Sequence, residues 1–284
     1  MKQIKKYVPV ILFAIASLAF TFQEILLRRE LKENTKESYQ FDLSGSQMIS
    51  MPSAGVVDMP MKFTSGMKMR FELGNVDKEK KEADVRMVIS DLKFDVEGMP
   101  PPPMGDVPKE IEIKGKLDER NRIKGIDFKS FPAEYQMMSG VSSNIGFWMI
   151  EFPEKPVKEG DSWEIKYPYP LAPNKEITLK ATFKGDKDYK DKSVHWITIE
   201  GEVIMQGDIA EIFKDNPQAA MVGKMLVDAK YQLTGETLIE KTSGKVLHAE
   251  YNMKGKQKMD MVDMNQTMEM NGDFKAIVTY LEEK

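Results

Sequence analysis

The stretch KMDMVDMNQTMEM, Lys258 to Met270, places five methionines in thirteen residues. Leading into it, Tyr251, Met253, Gly255, Gln257, Met259 and Met261 fall at every second position, with Asn252, Lys254, Lys256, Lys258 and Asp260 between them. A two-residue period is the mark of a strand with one apolar and one polar face. At Val262 the parity flips. Val262, Met264, Gln266, Met268, Met270, Phe274, Ala276 and Val278 now fall together, opposite Asp263, Asn265, Thr267, Glu269, Asp273 and Lys275. A hairpin turn near Val262–Asp263 accounts for the flip, and a bulge does so equally. On either account every methionine of the stretch is expected on the apolar face.

The same alternation extends through most of the chain. Met67, Met69, Phe71 and Leu73 oppose Lys68, Arg70 and Glu72; Ile111, Ile113 and Leu117 alternate with Glu110, Glu112 and Lys116; Ile177, Leu179, Ala181 and Phe183 oppose Thr178, Lys180, Thr182 and Lys184. Such strands belong to antiparallel sheets with one wet face. The charged turns NVDKEKKEAD and GDKDYKDKS fall at matching places in two strand–turn–strand units, which points to an internally duplicated meander. The expected fold is mainly β: one large, twisted, half-barrel-like antiparallel sheet.

Two apolar segments break the pattern. Residues 133–146 and 208–228 are expected as helices, limited by Gly140, Gly146 and Pro217, and packed on the concave face of the sheet. Residues 24–38 read as an amphipathic helix or a lead-in, and the proline run of Glu97–Pro108 as a stiff loop. The chain is thereby divided into a leader at 1–19, a lead-in at 20–38, a first meander at 39–132, a helical segment and linker at 133–160, and a second meander at 161–284.

The N-terminus carries Lys2, Lys5 and Lys6 before the apolar run YVPVILFAIASLAFTF. A basic region followed by an apolar one is the pattern of a secretory signal peptide, and Ser17-Leu18-Ala19 offers a cleavage site. The run from Tyr7 to Gln23 is a little short for the roughly 20 residues of a spanning helix, yet an uncleaved anchor is the other reading. Both place the body outside the cytoplasm, in a periplasmic or extracellular setting. With zero cysteines the chain has no disulfide, thiolate ligand or lipidated cysteine. A formal net charge of −4 with interleaved signs offers no footprint for nucleic acid.

His195 and His248 each sit inside a strand pattern, and no nucleophile elbow, zinc-protease, P-loop or dinucleotide motif accompanies them. A non-catalytic protein without a cofactor is the expectation. The 22 methionines are the unusual feature. Thioethers select Cu(I), and pairs such as Met259/Met261, Met268/Met270 and Met67/Met69 face one side of a strand, but soft-metal sites usually recruit His or Cys as well. Methionine also fills irregular gaps and recurs where varied apolar partners must be accepted. An adaptable cavity and an ordinary core both remain open at this point. The cavity reading names Met137, Met138, Phe147, Trp148, Met221, Met225, Met259, Met261, Met264, Met268 and Met270 as its lining.

FPEKPVKEGDSWEI, Phe152 to Ile165, resembles a phrase of exported bacterial families of unknown function: prolines, Pro-Val-Lys, then Gly-Asp-Ser/Thr-Trp opening a strand. Those families imply export and no activity. In order and pattern the chain also resembles the periplasmic lipoprotein-carrier and mycobacterial lipoprotein lipid-carrier architecture, in which a curved sheet wraps helices and holds acyl chains. That resemblance implies a lipid or other apolar ligand in the cell envelope. The alternatives are a structural module meeting an envelope protein partner, and Cu(I) binding.

Overall fold

The alternating stretches become eleven strands in the computed structural model, which describes residues 24–98, 109–125, 149–168, 176–208 and 223–282. They are β1 (Lys36–Met51), β2 (Val56–Asp77), β3 (Glu82–Val96), β4 (Glu110–Asp118), β5 (Ile123–Lys124), β6 (Ser162–Pro168), β7 (Glu176–Tyr189), β8 (Lys192–Asp208), β9 (Met225–Glu240), β10 (Val246–Met261) and β11 (Gln266–Leu281). All lie in one antiparallel sheet of order β5-β4-β3-β2-β1-β11-β10-β9-β8-β7-β6. Each strand except β5 thus neighbours its successor in sequence, and β11 returns to pair with β1 through registers such as Phe41↔Val278 and Ile49↔Met270.

This is the order of an up-and-down barrel with one seam unpaired. The seam lies between β5 and β6 for a reason of parity. Every ladder is antiparallel, so with eleven strands the two outermost run in the same direction and no hairpin can join them. The sheet nevertheless curls. A flat sheet of this order would hold β5 and β6 about 48 Å apart at the usual strand spacing. Yet Asn121, at the turn before β5, donates to the carbonyl of Ile150 at 3.1 Å, and the Trp163 indole of β6 donates to the carbonyl of Glu151 at 2.8 Å. Adjacent peptides of one strap therefore touch both edges.

The strap, residues 149–160, is extended. Phe152 N–H bonds the Arg120 carbonyl at 2.9 Å, and the Arg120 guanidinium meets Glu151 and Glu154 at 2.7 Å each. A second extended segment, residues 24–35, crosses the same end: Ile25 bridges Val157, Arg29 N–H bonds the Glu119 carbonyl, and Glu30 N–H bonds the Ser243 carbonyl. Both segments place apolar side chains inside the curl, with Leu27, Ile150 and Phe152 fully buried in one continuous core shared by β1–β4 and β6–β11. We call this end the base. The opposite, distal end holds the β1–β2 and β10–β11 turns.

The helical expectation is not borne out: among the described residues there is no α-helix, only single 3-10 turns. Residues 133–146 and most of 208–228 lie outside the described residues, while Met225–Asp228 is strand at the start of β9. The expected leader at 1–19 and most of the Glu97–Pro108 loop also lie outside them. Residues 24–35 form no amphipathic helix, because their backbone groups pair with strap and turn carbonyls instead. No helix of the described residues is long and apolar enough to cross a membrane.

A charged cluster is buried in the base around Arg29. The Arg29 guanidinium ion-pairs with Glu37 on β1 and donates to the Gly244 carbonyl at 3.3 Å, while the Tyr39 hydroxyl donates to Glu37 at 2.7 Å. Burial works against the Arg29 charge, but Glu37 and Tyr39 outweigh it and hold the guanidinium protonated more firmly than usual. Burial, aided by Glu37, keeps the Tyr39 phenol neutral well above its usual range. Removing one partner of a buried pair strands the other charge, at a cost of about 3–5 kcal/mol. Arg29→Leu is expected to lower the thermal midpoint by that equivalent, and Arg29→Leu with Glu37→Leu to recover much of the loss; a double variant as unstable as the sum of both single variants would refute the pairing.

Candidate ligand-binding face

Period two sends alternate side chains of each long strand into the curl, and what they meet differs along its height. In the base half they meet the two crossing segments. Met67, Met69 and Met87 are fully buried there among Tyr39, Phe71 and Ile113. In the distal half a band of inward methionines is half-buried, Met59 and Met61 on β2, Met205 on β8, Met253 and Met259 on β10, Met268 and Met270 on β11, while Ile49, Val96, Val203, Val227 and Met261 beside them are buried. The described inward positions of this half carry no acidic or basic side chain. Lys62, Lys68, Lys254, Lys256 and Lys258 all take the outward parity.

An aromatic row separates the halves. Phe94 on β3 and Phe63 on β2 lie 6.2 Å apart, Phe63 and Phe274 on β11 lie 5.8 Å apart, and Phe274 and Tyr231 on β9 lie 5.7 Å apart. These rings lie over glycines. A Cβ at Gly45 would fall 2.6 Å from Phe63 and 2.7 Å from Phe274, one at Gly272 would fall 2.8 Å from Phe274, and one at Gly255 would fall 2.8 Å from the Tyr231 ring. Rings covering glycine on a neighbouring strand pin register and let a sheet bend. The Tyr231 hydroxyl donates to Gln257 at 3.0 Å, and partial burial pushes its pKa up to about 12. Gln47 on β1 donates to the Met61 sulfur at 3.8 Å. The face therefore offers thioethers, aromatic rings and a few neutral amides.

Of the lining named from sequence, Met259 and Met268 stand directly opposite each other, Met261 opposes Met225, and Met270 opposes Gln257 and Ile49. These five share the distal end of one face. Met264 does not join them. The turn takes Val262–Met264 as a 3-10 turn rather than a tight hairpin loop, and Met264 points outward with 53% exposure. Met137, Met138, Phe147, Trp148 and Met221 lie outside the described residues. Met59, Met61, Phe63, Phe94, Tyr231 and Phe274 were not in that lining. Their signal was present in the alternation of β2, β9 and β11, but only the closing pair β1–β11 brings β2 beside the Met-rich hairpin.

Both histidines are engaged by neighbouring side chains. His195 Nδ1 lies 2.6 Å from Asp186, whose other oxygen accepts from Lys241 at 2.5 Å. Burial lowers the His195 pKa despite Asp186; burial would raise that of Asp186, but Lys241 and His195 hold it below the usual range. A neutral imidazole donating to an ionised carboxylate fits both directions. His248 stacks on Tyr189 at 5.7 Å and is also shifted down by burial. Among the described residues no group of three or more His, Cys, Asp or Glu is arranged to hold a metal. Two depressions, of about 360 and 510 Å³, carry exposed charges such as Lys68, Asp91, Arg86 and Lys114 on the outer surface.

No protein-family model matches the sequence, nor does any curated protein. Among solved structures, a chain from a study of lipid–protein interactions in lipovitellin superposes with a TM-score of 0.46 and 9% identity. The match covers 89% of this chain and 26% of the lipovitellin chain.

Two outcomes follow from this geometry. Gly45→Val is expected to displace the Phe63 and Phe274 rings and lower stability by about 1–3 kcal/mol; an unchanged denaturant midpoint would refute the seating of the rings. Both histidines hold a proton less tightly in the folded chain than at their ordinary value of 6.5. The unfolded chain therefore binds protons first, and stability falls as the pH drops through the ordinary histidine value of 6.5. Calorimetry around that pH is expected to show a slope that His195→Gln with His248→Gln flattens, and an equal slope in the double variant would place its origin elsewhere.

Proposed function

We propose that the protein is exported and non-catalytic, and that it holds a lipid or another apolar molecule against the distal concave face above the aromatic row. The observation that carries this reading is the half-exposed band of Met59, Met61, Met259, Met268 and Met270 on a curled sheet whose described inward positions there bear no charge. Met67, Met69 and Met87 of the base half are fully buried, whereas these five remain partly accessible. Thioethers on unbranched stems adapt to chains of differing shape. Neutral amides at Gln47 and Gln257 can meet an ester or hydroxyl without selecting for charge.

Native mass spectrometry of the full chain, purified from a secreting host without detergent, tests the reading directly. An apolar molecule is expected at about one per chain, released by solvent extraction. Replacing Met259, Met268 and Met270 together by Gln keeps volume but adds amides to the face, and is expected to weaken uptake of a fluorescent fatty acid by roughly tenfold or more. A bare mass together with no uptake of the added probe would overturn the reading.

A further inference from the structure

The large apolar side chains left exposed on this protein are not scattered. Of seven among the described residues, six lie at the distal end: Met48, Val57, Ile204, Leu226, Val262 and Met264. Three of them crown the β1–β2 and β10–β11 turns, with Val57 70%, Val262 46% and Met264 53% exposed. The two turns are built alike. Each is a 3-10 turn, Pro52–Ala54 or Val262–Met264, closed by a left-handed residue, Gly55 at φ 73 or Asn265 at φ 50. They lie side by side, since β1 and β11 are still paired at Ser50↔Glu269.

The polar side chains of these tips are turned back on the tips themselves. Asp58 accepts from the Ser50 hydroxyl at 3.0 Å, Asp260 accepts from Thr267 at 2.7 Å and from Lys258 at 3.0 Å, and Asp263 accepts the Lys224 N–H at 2.9 Å. Behind them Lys62 pairs with Glu97 and Lys254 with Asp273. Val57, Val262 and Met264 project as apolar side chains; Asp260 is paired with Lys258, while Asp58 and Asp263 are held by neutral donors. The rim is also continuous with the ligand face: Met261 is the last inward residue of β10, and Val262 is the first residue of the turn above it.

The geometry points to the distal rim as a docking surface for a lipid bilayer, into which the two tips insert so that an apolar ligand passes between bilayer and concave face. This rests on the ligand-binding reading above. Two one-turn tips are too narrow for the roughly 800 Å² per partner of a stable protein interface, but suit insertion among headgroups. The tips carry the carboxylates of Asp58 and Asp263 and, among the described residues, no cluster of cations, so docking draws nothing from anionic lipid and needs no low salt.

The absence of cysteine allows single labels in the full chain. An environment-sensitive dye at Val57→Cys or Met264→Cys is expected to shift to the blue on phosphatidylcholine vesicles and to be quenched by brominated acyl chains. The same dye at Lys80→Cys, in the exposed β2–β3 turn at the base, is expected to show neither change. Val57→Ser, Val262→Ser and Met264→Ser together are expected to slow transfer of a fluorescent fatty acid from vesicles by roughly tenfold, leaving its uptake from solution unchanged. Rim dyes that stay aqueous while the probe is still taken from solution would overturn the docking and keep the ligand face. Rim insertion with no uptake from any source would overturn the ligand face and keep insertion alone. Insertion that needs anionic lipid and disappears in high salt, or a dimer lost in the triple variant, would overturn an uncharged bilayer as the partner.

Discussion

Eleven strands, each antiparallel to its neighbours, cannot close by antiparallel ladders alone, and the rest of the molecule depends on how that conflict is met. The outermost strands β5 and β6 run the same way, and among the described residues the seam between them is tied by side chains and a strap. Asn121 and Arg120 hold the strap from one edge, and Trp163 holds it from the other. These ties act only at the base. They draw the two edges together where residues 24–35 and 149–157 can fill the interior, and leave the distal half of the curl without those two segments inside it. The fully buried base and the half-buried distal face follow from one cause.

The second crossing segment, residues 24–35, also explains why the Arg29–Glu37 pair sits where it does. A segment that crosses strand ends meets the unpaired carbonyls of turns, and Arg29 is placed to take the Gly244 carbonyl while answering Glu37 on the neighbouring strand. Gly244 has φ 68, and a Cβ there would fall 2.2 Å from the Arg28 carbonyl oxygen, so the crossing segment needs a glycine beneath it. The ion pair fixes which segment crosses and in what register, a specificity that apolar packing of Leu27 alone does not provide.

Much of this was legible in the sequence. The alternation through Tyr251–Met270 located β10, β11 and the turn between them, and the opposed faces of Met67–Leu73 and Ile177–Phe183 located β2 and β7. Alternation reports the face of each strand and nothing about its partners, so the β1–β11 closure and the gathering of Met59 and Met61 with Met268 and Met270 could not be read from it. Extending the parity through Val262–Met264 misplaced Met264, because a 3-10 turn has a three-residue period and turns its side chains outward. The strap was the hardest part to see. Its phrase, Pro153 to Trp163, reads as a stiff approach to a strand, and only the curl of the sheet brings Arg120 to meet it.

The question raised by the methionines is answered differently at the two ends of the same strands. On β2, Met67 and Met69 are core residues at 4% and 2% exposure, while Met59 and Met61, four turns of the pleat further on, stand half-exposed on the same face. Period and residue type are identical, so neither distinguishes core from ligand surface. The difference is what lies opposite: Leu27, Ile150 and Phe152 fill the base, and the aromatic row of Phe94, Phe63, Phe274 and Tyr231 marks where that filling stops. Methionine suits both sides of that boundary, since its flexible, unbranched side chain packs in a filled core and along an irregular, partly open face alike. The height at which the described crossing segments stop determines how much of one continuous apolar face they leave uncovered.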